Sequence, residues 1–202
     1  MIKDMKIWEN EIPLYDENIP FENKMTAYLH EDGEVHPAMI VYPGGGYCIH
    51  GEWECDPVAQ FYYDNGYNAF IVYYRVRPYP HPAPMLDAQY AVKNVRAHAA
   101  EWHIDPERVF GVGFSAGGHL ALAAGVKGEN KPNAMILGYP AASAPNLPGM
   151  NFMLKLLKGS EEVTDEDAKE FDLVPQITKE YTRQVTISSL NVFFTRVLFR
   201  AP

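Results

Sequence analysis

Short, continuously apolar runs alternate along this chain with longer stretches in which apolar residues recur every three to four positions. Ala38 to Tyr42, Asn68 to Tyr74, Val109 to Val112 and Asn133 to Tyr139 are runs of the first kind, and each predicts a buried strand. Met85 to Trp102 is of the second kind. It aligns Ala88, Val92, Val95, Ala99 and Trp102 on one helical stripe, while Gly118 to Val126 is a second helix-forming run. Between them, Ile104-Asp105-Pro106-Glu107-Arg108-Val109 predicts a turn that feeds the strand at Val109. Strands alternating with helices imply an α/β fold, a mostly parallel sheet with helices on both faces. Further along, the proline-rich stretch Pro140 to Pro148 leaves the last of these strands, and Met150 to Leu157 reads as an amphipathic helix. Residues 141–176 are therefore expected to form a cap or insert, in which Thr164-Asp165-Glu166-Asp167 opens a short surface helix with a capping box.

Composition bounds this picture. The 202 residues suffice for one domain with a real core, and 47% apolar content is ordinary for a globular protein. No linker or internal repeat divides the chain. A net charge of −9 offers no basic stripe, which argues against nucleic acid and anionic membrane as partners. Met1 to Lys6 lacks the apolar run of a signal peptide and no stretch is long enough to span a bilayer, so a cytoplasmic location is expected. Cys48 and Cys55 are too few for a disulfide framework and lack metal-site company, so both are expected as free thiols. Gly44-Gly45-Gly46 is not followed by the Lys-Ser/Thr pair of a phosphate-binding loop, and neither a cofactor nor a metal is expected.

Two glycine-rich segments carry the candidate chemistry. Gly113-Phe114-Ser115-Ala116-Gly117 stands between an apolar strand and a helix, the context of a nucleophile elbow. Small residues flank the serine because a strand-to-helix turn this sharp brings backbone against backbone. Ser115 is the candidate nucleophile. About seventy residues upstream, Pro43-Gly44-Gly45-Gly46-Tyr47 follows another strand, where the HGGG-type loop of lipases and esterases is expected, with Pro43 in place of histidine. Exposed N–H groups of such a loop can bind the charge that develops on a carbonyl oxygen during acyl transfer. Each segment alone is equally a glycine turn. Together and in this order they point to an acyl-transfer hydrolase.

The runs Tyr42-Pro43-Gly44-Gly45-Gly46-Tyr47, Tyr74-Arg75-Val76, Leu86-Asp87-Ala88, Ile104-Asp105-Pro106 and Gly113 through Ala121 resemble the α/β-hydrolase superfamily. Within it, residues 38–182 are similar to the acetyl-xylan-esterase-like and feruloyl-esterase-like carbohydrate esterases near the hormone-sensitive-lipase-like group. The resemblance implies an α/β-hydrolase fold, Ser115 as nucleophile, and backbone N–H groups of Gly44, Gly45 and Ala116 as the oxyanion hole. It matches Arg75 and Asp87 to positions of structural role. His119, one helical turn after Ser115, is expected to pack behind the nucleophile as a buried, hydrogen-bonded side chain. Tyr47, Trp53, Tyr73, Tyr74 and Tyr79 either line a sugar or aryl pocket or fill the core.

The sequence also departs from that family. Triad partners follow the serine in the order Asp or Glu, then His. No histidine follows His119, and none of Asp165, Asp167 and Asp172 precedes one. His50 and His81 are the remaining candidates for a base, though both read as surface or pocket-rim residues. His30 and His36 flank the Glu31-Asp32-Gly33 turn and are expected to face solvent. Residues 183–202 hold three arginines and no acidic residue, unlike the acidic chain before them. This reads as a truncated or frame-shifted member diverging near Thr182, lacking the last strands and helix, or as a short variant in which Val185 to Ser188 supplies a replacement strand. Three functions stay open. One is a serine carboxylesterase acting on short acyl esters, with a small-molecule or carbohydrate ester as substrate. Another is a catalytically impaired binding or remnant protein, and a peptidase on the same fold is a third. An uncovered C-terminal sheet edge would favour a homodimer.

Overall fold

A computed structural model describes residues 1–142, 150–177 and 185–188. Their strands form one sheet in the order β1-β2-β4-β3-β5-β6-β7, comprising β1 (Ile2–Met5), β2 (Met25–Tyr28), β3 (His36–Tyr42), β4 (Asn68–Val72), β5 (Ile104–Phe114), β6 (Ala134–Gly138) and β7 (Val185–Ser188). β1 and β2 are antiparallel to their neighbours, whereas β4, β3, β5, β6 and β7 run parallel. Parallel neighbours need crossovers, and helices supply them. These are α1 (Asp56–Asp64) after β3, α2 (Ala83–Ala97) after β4, α3 (Ser115–Lys127) after β5, and α4 (Met150–Lys158) with α5 (Asp165–Phe171) after β6.

The central strands read as continuous apolar runs because both faces are covered. Ile40, Tyr42, Phe70 and Val72 join one core with Ala88, Val92 and Val95 of α2 and Leu120, Ala121 and Ala124 of α3. Their sequence neighbours Met39, Val41, Ala69 and Ile71 join a second core with Ala59 of α1. The period-two alternation expected of a strand is present, but it sorts apolar residues between two cores instead of sorting apolar from polar.

The stripe expected over Met85 to Trp102 spans a shorter helix. α2 ends at Ala97, and the chain turns through His103 at φ +51 before entering β5. Trp102 stays buried by stacking on His98, with ring centroids 4.5 Å apart. β5 begins at Ile104, five residues before the expected strand, because Ile104 pairs with His36 across an irregular register. In α5 the capping box forms as expected: the Asp167 N–H donates to Thr164 Oγ1 at 3.2 Å and the Thr164 N–H to Asp167 Oδ2 at 2.8 Å. Residues 143–149 of the expected cap lie outside the described residues, but α4 occupies the expected helix and buries Leu154 and Leu157. Val185–Ser188 pairs in parallel with β6 at the sheet edge, as the replacement-strand reading requires.

Arg75 and Asp87 form a fully buried ion pair that ties the end of β4 to α2. The Arg75 N–H and guanidinium donate to Asp87 at 2.7 to 3.1 Å, and Trp8 Nε1–H donates to it at 2.6 Å. Burial pushes this carboxyl up and the Arg75 guanidinium opposes the shift. With every partner structural, the expected structural role of both residues is met. No helix among the described residues is long and apolar enough to cross a membrane.

Candidate active site

Three adjacent parallel strands end side by side: Tyr42 pairs with Gly113, and Phe114 with Gly138. Whatever follows each strand therefore meets above one end of the sheet, where open α/β sheets bind ligands. After β3 comes the glycine loop, after β5 Ser115, and after β6 Tyr139.

Ser115 is the first residue of α3 and has φ +50, a left-handed conformation that non-glycine residues adopt rarely. This is the strained turn an elbow requires. Its flanking glycines are compelled by close approach. A Cβ on Gly113 would lie 2.4 Å from the Gly117 carbonyl oxygen, and one on Gly117 would lie 2.1 Å from that of Tyr42. Ser115 is held further by Ala141, whose N–H donates to the Ser115 carbonyl at 3.1 Å.

The glycine loop lies directly over the elbow, since a Cβ on Gly44 would sit 3.2 Å from the Ser115 Cβ and 2.7 Å from the Phe114 carbonyl oxygen. Gly45 (φ +134) and Gly46 (φ +63) let the loop reverse. Of the three expected oxyanion donors, Ala116 and Gly45 give their N–H groups to no acceptor among the described residues. Gly44 gives its N–H to Glu54 Oε2 at 2.6 Å. The other Glu54 oxygen accepts the Tyr139 hydroxyl. Burial, then the bond to Glu54, pushes the Tyr139 phenol up to about 12, so it is a donor at neutral pH. Glu54 thus links the loop after β3 to the end of β6. Sequence reading missed both Glu54 and Tyr139. Glu54 sits in an ordinary acidic stretch with Glu52 and Asp56, and only Tyr139, at the end of a predicted strand, stood where a signal existed.

The histidines are placed elsewhere. His119 is buried behind the elbow as expected, with Nε2–H donating to the Phe171 carbonyl at 3.1 Å and Nδ1 accepting the Tyr47 hydroxyl at 2.8 Å. Burial lowers it to about 4, so it is neutral near pH 7 and both nitrogens are committed. His50 Nε2 bonds the Tyr74 carbonyl at 3.0 Å, and His81 Nε2 lies 3.7 Å from Glu170. Burial lowers both. Among the described residues no imidazole bonds Ser115. Asp167 caps its own helix and pairs with Lys158 at 2.6 Å.

The five candidate aromatics do not form one pocket. Tyr47, Tyr74 and Tyr79 are core residues whose hydroxyls bind His119, the Pro43 carbonyl, and the Asp16 and Ile19 carbonyls. Trp53 is 80% exposed. An apolar cavity of ≈ 350 Å³ between α1 and β6 includes Phe114 and Tyr139 but neither Ser115 nor the glycine loop. Cys48 and Cys55 are free thiols, Cys48 exposed and Cys55 buried, and burial pushes the Cys55 thiol up to about 11.

With this geometry in hand, known proteins can be compared. The sequence model of the BD-FAE family matches residues 25–148. The chain is 31% identical over 188 residues to endo-1,4-beta-xylanase B of Butyrivibrio fibrisolvens, covering 85% of this chain and 29% of that protein. It is 31% identical over 134 residues to an acetylxylan esterase of Xylanibacter ruminicola, covering 59% of this chain and 28% of that one. The crystal structure of an acetyl ester-xyloside bifunctional hydrolase from Caldicellulosiruptor lactoaceticus superposes with a TM-score of 0.85 at 31% identity, covering 92% of this chain and 73% of that one. The chain spans less than a third of the length of these two curated relatives.

Proposed function

We infer the function from a premise that now stands, that the chain belongs to the BD-FAE family and has the α/β-hydrolase fold. The reading is a serine carboxylesterase that hydrolyses short acyl esters, with acetylated carbohydrate as the substrate class. The observation that carries it is Ser115 at φ +50 beneath a glycine loop, at the C-terminal ends of β3 and β5. The names of the relatives, an acetylxylan esterase and an acetyl ester-xyloside hydrolase, support the substrate class.

In this mechanism the Ser115 hydroxyl attacks the ester carbonyl. The resulting oxyanion is held by the N–H groups of Gly45 and Ala116, while Gly44, fastened to Glu54, sets the loop that presents Gly45. Collapse of the tetrahedral intermediate expels the alcohol, and water then releases the acid from the acyl-serine. The Ser115 proton needs a base, and His119, His50 and His81 are each engaged elsewhere. That observation favours the second reading, a pocket that binds esters without turnover.

One experiment separates the two. Hydrolysis of p-nitrophenyl acetate by the purified chain is followed over pH 5 to 9 beside Ser115→Ala, with fluorophosphonate labelling of both. Turnover and labelling that vanish in Ser115→Ala establish the esterase. Equal rates and no labelling overturn the esterase and leave a catalytically impaired binding or remnant protein.

A further inference from the structure

At the other end of β3 from the glycine loop, His30, Asp32 and His36 each offer one ligand atom, and the three atoms lie within 4.8 Å of one another. Contrary to the expectation of solvent-facing side chains, both histidines are partly buried. Each imidazole is oriented by a backbone carbonyl, His30 Nε2 by Tyr63 at 3.2 Å and His36 Nδ1 by Gly66 at 3.0 Å. A carbonyl only accepts, so both of these nitrogens carry a proton. In the neutral ring the remaining nitrogen is a lone pair. For His36 that nitrogen is Nε2, which faces the two Asp32 carboxylate oxygens at 3.0 and 3.1 Å. Lone pair then opposes carboxylate unless a second proton or a cation stands between them. An imidazole whose N–H is fixed on a carbonyl while its other nitrogen is presented beside a carboxylate is how metal-ligating histidines are held.

We propose that His30, Asp32 and His36 form a binding site for one divalent transition-metal ion of the zinc class. Two imidazoles and a carboxylate select such an ion over magnesium or calcium, which prefer all-oxygen shells. Water completes the coordination, reaching it from the adjoining cavity of ≈ 280 Å³ that His30, Glu31, Glu101 and His103 help to line. His30 stacks between Tyr63 and His36, both ring centroids 4.2 Å away. Ligand atoms already within 4.8 Å of one another need only close to about 3.3 Å, the edge of a tetrahedron with bonds of about 2.0–2.1 Å, to share one ion. The bound ion cross-links the β2–β3 turn, whose two imidazoles keep their bonds to the Tyr63 and Gly66 carbonyls at the end of α1.

The test needs no esterase activity. Metal-stripped full chain is titrated with ZnCl2 by calorimetry, with melting temperature as a second readout and MgCl2 in parallel. One saturable zinc equivalent, a raised melting temperature and no response to magnesium are expected. Asp32→Asn, a same-sized change on an exposed turn, is expected to weaken zinc more than about tenfold, and His30→Gln with His36→Gln to abolish it. Cys48→Ser, removing the exposed thiol, is expected to leave it unchanged. No saturable uptake, uptake indifferent to Asp32→Asn, or uptake lost in Cys48→Ser overturns the proposal.

Discussion

Gly44 gives its N–H to the Glu54 carboxylate at 2.6 Å, and Tyr139 gives its hydroxyl to the same group. A residue outside both glycine motifs thereby fastens the loop above Ser115 to the strand beyond it. Glu54→Ala is expected to lower kcat for p-nitrophenyl acetate about 10- to 100-fold, the equivalent of a charged hydrogen bond of about 1.5–3 kcal/mol, with KM little changed. Glu54→Gln keeps an acceptor and is expected to lose less. Steady-state kinetics of both variants check this. A rise in KM alone would assign Glu54 to substrate binding instead.

Ser115 holds a left-handed backbone at φ +50. Ser115→Gly removes the hydroxyl and the Cβ that makes this conformation costly, so it is expected to abolish fluorophosphonate labelling while raising stability by about 1 kcal/mol. Urea midpoints beside labelling gels measure both. A destabilised glycine variant would mean that the serine side chain packs more than it strains.

Arg75→Met strands the Asp87 carboxylate, which has no solvent access. The expected loss is about 3–5 kcal/mol, and replacing both partners with apolar residues is expected to recover much of it. Chemical denaturation of the single and double variants distinguishes a stranded charge from a simple packing defect.

His119 supplies a pH dependence whose sign is set by its depressed pKa. The unfolded imidazole takes a proton near 6.5 and the folded one near 4, so between those values the unfolded chain binds more protons. Stability is therefore complete above about pH 6.5 and falls as pH drops, by about 3 kcal/mol once both forms are protonated. His50 and His81, also lowered by burial, act in the same direction. Urea midpoints from pH 7 to pH 4 are expected to fall, with a shallower slope in His119→Gln.

Much of the architecture was legible because it rests on local rules. Four of the five parallel strands announce themselves as short apolar runs, the glycines around Ser115 are dictated by backbone contact, and Thr164 to Asp167 carries its own cap. The ends of elements were less legible. Whether 98–103 continues α2 depends on Trp102 stacking on His98, and the start of β5 depends on pairing with His36.

By itself the sequence determined that this is an α/β chain with a serine on a strand-to-helix turn and a glycine loop upstream. Periodicity, glycine placement and motif order are properties of neighbouring residues along the chain. Tertiary structure alone decided that Glu54 takes the Gly44 N–H, that Tyr139 closes on Glu54, that His119 spends both nitrogens on Tyr47 and Phe171, and that the Tyr63 and Gly66 carbonyls orient His30 and His36. Where a side chain's partner lies on another strand or loop, its chemistry is set by how the sheet brings those elements together, and no spacing along the chain encodes that distance.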